Sequence, residues 1–132
     1  MNDTHDTPWP DRPVHSNFWR AHPEWWIEAA YRPQGDYMTV RAMDYRQPAV
    51  REYLLRLIRE IVTDYSPDVL ELDFMRFPLY FPPDVAREYN DVMSGFVKEV
   101  RALLGEDRLL YVRAPVTVAS GLEYGLDYAA WA

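Results

Sequence analysis

The chain has 132 residues, enough for one ordinary domain but short of the roughly 250 that a complete eight-stranded α/β barrel usually needs. Its formal net charge of -7 argues against a nucleic-acid partner, because phosphates would be repelled and no basic patch is visible. Cysteine is absent, which excludes disulfides and thiolate nucleophiles, and no apolar run approaches the roughly 20 residues that cross a bilayer.

The first 37 residues are rich in proline, tryptophan and histidine. They have no sustained periodicity beyond a short predicted helix over Pro23–Ala30, so we interpret the segment as a structured loop. Its many aromatic rings can fill a core or form platforms for the apolar faces of sugars. Core filling is the better default for any single ring.

A strand and a long helix follow. The β-prone run YMTVRAMDY predicts a strand over Met38–Met43 that ends at Asp44. A helix should begin at Pro48 and stop near Tyr65, because Ser66 is followed by proline. Apolar residues recur at three- and four-residue steps along this helix, as Val50, Tyr53, Leu54, Leu57, Ile58, Ile61 and Val62.

The same alternation continues to the end of the chain. The run DVLELDFMRFP predicts a strand within Asp68–Pro78, and a second amphipathic helix is predicted over Pro83–Leu104. Gly105 suits a left-handed C-terminal cap, and Leu109–Val112 begins a further strand. The final GLEYGLDYAAWA resembles the opening of another helix.

Strands that alternate with long helices predict an α/β fold. Helices of this length cannot fit into hairpins, so the three predicted strands should be parallel and adjacent, with both long helices on one side. Open doubly wound sheets and closed barrels share this alternation. No glycine-rich phosphate loop follows any strand, which weakens the nucleotide-binding version.

Asp73 is the main candidate for chemistry. Residues two apart in a strand share a face, so Glu71 and Asp73 point away from an apolar face that would pack on the helices. In a barrel these acids would face the interior, with Asp73 nearer the carboxyl end, where barrel enzymes keep catalytic groups. The structural alternative has equal weight: Asp73 pairs with Arg76 or with an arginine on an adjacent strand, or caps the next loop.

Other polar residues are weaker candidates. Asp44 and Arg113 lie near predicted strand ends, and a turn cap is the favoured role for Asp44. Asn2, Asp3 and His5 form a polar cluster at the amino terminus. No second histidine stands at metal-ligand spacing, so a hydrogen-bonded loop is favoured there over a metal site.

Four segments carry a family resemblance: HPEWW, DYRQPAVREYL, ELDFMRFP and GLDYAAW. With them the chain resembles bacterial glycoside-hydrolase-like (β/α)8 barrel proteins, namely uncharacterised glycosyl-hydrolase-like domains and, more distantly, the α-galactosidase clan. The resemblance implies that residues 1–132 are a fragment of one TIM barrel domain. It implies Asp73 as the nucleophile, and sugar contacts from Arg76 and from residues Asn2 to His5.

The resemblance also implies a carbohydrate substrate with no cofactor or metal. The predicted substrate-binding residues are Arg76, Asn2, Asp3, His5, Asp44, Arg113 and Trp25, and the tryptophans expected in the sugar cleft are Trp9, Trp19, Trp25 and Trp26. Retaining hydrolysis needs a second carboxyl group, expected on a later strand, and Asp127 resembles a helix cap.

The isolated fragment is therefore expected to be inactive and to be marginally stable or self-associate through exposed barrel edges. Two alternatives stay open. One is a barrel of the same fold that binds carbohydrate without cleaving it. The other is a non-glycosidic barrel hydrolase with metal ligands in the missing strands.

Overall fold

The computed structural model describes residues 15–31, 38–75 and 78–131. Its first element is a short helix, α1, over Asn17–Ala21. The helix begins where it does because the Oγ of Ser16 accepts a hydrogen bond from the backbone N–H of Trp19 at 3.1 Å. The predicted loop therefore contains regular structure.

A β-strand replaces most of the helix predicted over Pro23–Ala30. Only Pro23–Trp25 form a turn of 3-10 helix, and the chain then enters strand β1, Trp26–Tyr31. This strand pairs antiparallel with β2, Met38–Met43. The helix prediction is wrong because pairing with β2, which local sequence does not reveal, satisfies the backbone of these residues.

The prediction that all three strands are parallel and adjacent is wrong for β2. Its partner is β1, and the two form a separate two-stranded sheet. Six residues, 32–37, separate them in the sequence, and a connection this short favours antiparallel pairing.

The first long helix, α2, is confirmed over Pro48–Tyr65. Proline occupies its first turn, where no N–H partner is needed. The helix ends at Ser66, which adopts a left-handed backbone with φ 45 and ψ 52 just before Pro67. The residues that α2 buries belong to the predicted stripe or adjoin it: Val50, Leu54, Leu55 and Ile58.

The other two predicted strands are parallel neighbours, as expected. Strand β3, Val69–Asp73, pairs with β4, Leu109–Arg113, in a register that sets Asp73 opposite Arg113. Helix α3, Asn90–Leu104, connects them. The predicted start of this helix at Pro83 is wrong, because a turn and a 3-10 segment over Ala86–Tyr89 precede it. The apolar stripe predicted for one helix is thus divided between the 3-10 segment and α3.

The C-terminal segment differs from the predicted single helix. Helix α4 occupies Val118–Glu123, capped by Thr117, and a 3-10 turn occupies Tyr128–Trp131. Gly125, with φ 77, turns the chain between them, and the N–H of Leu126 bonds to the carbonyl of Gly121 at 2.9 Å. The run GLDYAAW is thus a turn followed by a short helical turn.

The core lies between α2, α3 and one face of the β3–β4 sheet. The inner face carries apolar residues that pack against both helices, so both long helices lie on one side of this sheet. The most deeply buried large side chains are Trp19, Phe81, Met93, Leu126, Val50 and Val100. Within the described ranges no helix is long and apolar enough to cross a membrane.

Candidate functional site

Asp73 forms an ion pair at the carboxyl ends of the two parallel strands. Nη1 of Arg113 donates to Oδ2 of Asp73 at 2.7 Å, and the backbone N–H of Met75 donates to Oδ1 at 2.8 Å. The structure thus contains both contacts of the structural alternative, an adjacent-strand arginine and a cap on the next loop. The pair is 35% and 60% exposed, so it stabilises the fold by at most about 1 kcal/mol.

The face that carries Asp73 is open to solvent in the described structure. Glu71 lies on the same face, opposite Tyr111 in the register. The expectation of a barrel interior is not met here, because among the described residues β3 pairs with β4 alone and no further strand covers this face. Carboxylate, guanidinium and phenol groups side by side can hydrogen-bond the hydroxyls of a polyol.

Asp44 has the capping role that the sequence favours. It is buried, its Oδ1 accepts from the backbone N–H of Arg46 at 2.9 Å, and its Oδ2 accepts from Nε and Nη2 of the same residue at 2.8 and 2.7 Å. The hydrogen bond to Asp44 raises the pKa of Arg46. These contacts close the turn between β2 and α2, and a role for Asp44 in binding stays a prediction.

We expect Asp44→Ala to lower the free energy of unfolding by about 2 kcal/mol, because it removes a buried charged acceptor and leaves the Arg46 N–H groups without it. Asp44→Asn keeps one acceptor for the backbone N–H and should cost less. Urea unfolding followed by circular dichroism measures both. Equal stability of the alanine variant and the parent would refute the capping role.

The tryptophans divide into buried and accessible rings. Trp19 is only 1% exposed, stacked between His15 and Trp26 with both centroids at 4.1 Å, and its Nε1 donates to the carbonyl of Arg41. The predicted place of Trp19 in a sugar cleft is therefore wrong, because both of its faces are covered. Trp26 is half-buried; one of its contacts is the stack with Trp19, and the guanidinium of Arg41 lies 5.2 Å from its ring centroid.

Trp25, like Trp26, is partly accessible. It is half-buried and stacks on His22 with centroids 4.0 Å apart and planes inclined by 10°. Its role as a sugar platform stays a prediction. The candidates Arg76, Asn2, Asp3, His5 and Trp9 lie outside the described residues. Within residues 15–31, 38–75 and 78–131, no three His, Asp or Glu side chains form a group that could hold a metal ion.

Two tyrosines near Asp73 were not predicted from the sequence. Tyr45 and Tyr80 are each 3% exposed, their rings meet edge to face at 5.4 Å, and they line a cavity of about 260 Å3 together with Glu71 and Asp73. Tyr80 lies in FPLYFPP, a segment with no periodicity. Its apolar residues between prolines are the one signal that this loop is buried.

Burial raises the pKa of both Tyr45 and Tyr80 well above the usual value near 10, and the Tyr45 and Asp73 side chains raise that of Tyr80 further. Just above pH 10, the two tyrosines therefore lose their phenol protons in the unfolded chain but keep them in the folded chain. The stability that they contribute is complete below about pH 10 and is lost as the pH rises beyond it.

We therefore expect the free energy of unfolding to fall by roughly 3 kcal/mol between about pH 9 and 11 from these two groups together. Urea unfolding across this range tests it. The double variant with Tyr45→Phe and Tyr80→Phe serves as the control, and its free energy of unfolding should fall much less over the same pH range. Parallel pH profiles for the two proteins would contradict the assignment.

Comparison with known proteins identifies a related fold. No protein-family model and no curated protein matches the chain. Two solved structures of an alpha-galactosidase from Thermus thermophilus, in complex with stachyose and with p-nitrophenyl alpha-D-galactopyranoside, are similar to it. For each, the TM-score is 0.51 and the identity 23% over 78% of this chain. The match covers 23% of that enzyme's chain in the first complex and 22% in the second. The chain is thus an α/β structure with short parallel strands that shares part of its fold with a glycoside hydrolase.

Proposed function

We propose that this chain is part of the (β/α) barrel of a glycoside hydrolase that cleaves glycosidic bonds in a carbohydrate, with Asp73 as its nucleophile. The observation that carries the proposal is the position of Asp73 at the carboxyl end of a parallel strand, beside Arg113 of the neighbouring strand. Barrel enzymes place their catalytic groups at this end of their strands. The fold shared with a galactosidase supports the proposal.

Asp73 meets the local requirements of a nucleophilic carboxylate. Its side chain is partly exposed, so a substrate can reach it from the open face of the sheet. The contacts from Arg113 and from the Met75 N–H hold the carboxylate in one orientation and compensate its charge. Its attack on the anomeric carbon would form a glycosyl ester and release the aglycone, and water would then hydrolyse the ester.

Retaining hydrolysis also needs a second carboxyl group about 5 to 5.5 Å from the first, which acts as acid and then as base. We assign this group to a part of the barrel outside these 132 residues. Glu71 keeps a structural role in the proposal, because it lies deeper along the strand. Asp127 directly precedes the 3-10 turn Tyr128–Trp131, where a cap is its expected role.

Sugar contacts would come from groups around Asp73. Arg113 carries five N–H donors, so it can hold Asp73 and donate to a sugar hydroxyl at the same time. Trp25, Asp44, Arg76 and the Asn2 to His5 cluster complete the proposed binding set.

Carbohydrate binding without cleavage is the second candidate function. Both carboxylate oxygens of Asp73 already accept hydrogen bonds, as they would in a group that only helps to hold a ligand. The two functions share the same site and differ in whether a bond is broken.

The test uses the protein that carries this chain with a panel of aryl glycosides and oligosaccharides, including p-nitrophenyl alpha-D-galactopyranoside and stachyose. Release of p-nitrophenol or of monosaccharide measures cleavage, and tryptophan fluorescence measures binding. Cleavage of one panel member is the expected result. Binding without release supports the second candidate, and the absence of both contradicts the two proposals together.

A further inference from the structure

A groove with a volume of about 320 Å3 lies between α3, β4 and the C-terminal 3-10 turn. Its apolar wall includes Leu110 of β4 and Trp131 of the turn, and its polar wall includes Lys98 and Arg101 of α3. None of the residues that line it is acidic, so the two cations give the lining a positive charge in a chain whose net charge is -7. Ligand pockets in proteins begin at roughly 300 Å3, so this groove suits a small molecule.

The two cations of the groove have no acidic partner among the described residues. Side chains three or four positions apart meet on a helix, and no Asp or Glu stands at these spacings from Lys98 or Arg101. Nη2 of Arg101 donates to the carbonyl of Arg108 at 2.9 Å, whereas its Nε is buried without a hydrogen-bond partner in the described part of the chain. Like charges at this spacing repel each other, so an anion bound between them would be stabilised.

Gly95 keeps the groove open on the helix side. Glycine inside a helix costs roughly 1 kcal/mol relative to alanine, and no atom lies within 4 Å of the position that a Cβ would take here. Beside it, Oγ of Ser94 accepts a hydrogen bond from Nε1 of Trp131 at 2.8 Å, which leaves the serine proton to donate. The groove thus combines two cations, a hydroxyl donor and an apolar wall around empty space.

We propose that this groove binds a small organic carboxylate, with the carboxylate group between Lys98 and Arg101. The apolar body of the ligand would lie against Leu110 and Trp131. A monoanion is favoured over a phosphate dianion for two reasons: the cations stand in the C-terminal half of α3, toward the negative end of the helix dipole, and the chain itself is anionic. The proposal holds whether or not the protein cleaves glycosides.

The test compares benzoate with benzamide, which has nearly the same shape but no charge. Binding to the 132-residue chain at neutral pH is measured by titration calorimetry and by the shift of the Trp131 indole N–H resonance. Benzoate should shift this resonance and bind about tenfold more tightly than benzamide, because benzamide lacks the charge-assisted hydrogen bonds. Phenyl phosphate should bind more weakly than benzoate.

Three variants locate the binding. Lys98→Met should weaken benzoate by about tenfold and leave benzamide unchanged. Arg59→Met is the matched control, since it removes an exposed cation of α2 that does not line the groove, and it should change neither affinity. Gly95→Leu places a side chain in the empty space and should abolish benzoate binding, while a thermal melt shows that the fold is intact.

Four results would overturn the proposal. Benzoate might shift no resonance of the folded parent, or benzamide might bind as tightly as benzoate, which would leave an apolar groove without anion recognition. Tighter binding of phenyl phosphate would reject the carboxylate assignment. Equal weakening of benzoate by Arg59→Met and Lys98→Met would show an effect of net charge alone.

Discussion

Replacement of Asp73 by asparagine should reduce turnover of any glycoside that the complete protein cleaves by a factor on the order of 10³ or more. The amide is nearly isosteric with the carboxylate, but it cannot form the glycosyl ester. The hydrogen bonds from Met75 N–H and Arg113 both end on the Asp73 side chain, and an amide oxygen can keep one of them. Folding should therefore survive, and circular dichroism with a thermal melt verifies it.

Glu71→Gln is the matched control for this substitution. It removes a carboxylate from the same face of the same strand, two residues away, and should leave turnover within a few-fold of the parent. If Asp73→Asn retains near-parental turnover on a substrate that the parent cleaves, Asp73 is a structural partner of Arg113 and the catalytic assignment is wrong.

Gly125→Ala should lower the free energy of unfolding by about 3 kcal/mol. A Cβ at this position would lie 2.5 Å from the Phe81 ring and 2.9 Å from the carbonyl oxygen of Ala86. Phe81 is 1% exposed and cannot swing away without opening the core. The backbone φ of 77 adds the cost of a left-handed conformation for an L-residue.

Two other glycines distinguish the effect of close contacts from the effect of backbone conformation. Gly105 has φ 84 and ψ 163, a conformation that essentially only glycine adopts, but no atom lies within 4 Å of an added Cβ, so Gly105→Ala should cost about 1 to 2 kcal/mol from backbone strain alone. Gly95→Ala lies inside α3 in open space and should stabilise the fold by about 0.5 to 1 kcal/mol. Chemical denaturation ranks the three variants. If Gly125→Ala costs no more than Gly105→Ala, the close approach of Phe81 is not a constraint.

Regular periodicity explains which parts of the fold could be predicted. The α2 stripe and its proline start fix that helix almost residue by residue, and the apolar inner faces of β3 and β4 place both strands. Local signals of this kind do not depend on distant contacts. The parallel pairing then follows from the length of the helix between the strands.

The main errors in the predicted secondary structure come from tertiary contacts that the local sequence does not show. The residues of β1 have no alternation that marks a strand, and they become one through hydrogen bonds with β2. The C-terminal run GLDYAAW has helix-forming residues, but the chain turns at Gly125, where Phe81 and Ala86 pack closely. Helix α4 therefore ends before this run. Neither Phe81 nor Ala86 is near this segment in sequence, so no local pattern carries the information.

The candidate site was partly predictable for the same reason. Strand ends are visible in the sequence, and they mark Asp44, Asp73 and Arg113. Their partners follow from geometry, as with the ion pair of Arg46 and Asp44 and the register that sets Arg113 beside Asp73. Tyr80 reaches the same region from an irregular loop, where neither period nor spacing indicates its direction.

Trapping the covalent intermediate tests the central claim, that Asp73 is the nucleophile, most directly. A fluorinated glycoside with a reactive leaving group, matched to whichever sugar the protein cleaves, should slow hydrolysis of the ester so that it accumulates. Digestion and mass spectrometry should then locate the sugar on the peptide that contains Asp73, and the Asp73→Asn variant should remain unlabelled. A sugar attached to another carboxylate, in a protein that turns over the parent glycoside, would contradict the account.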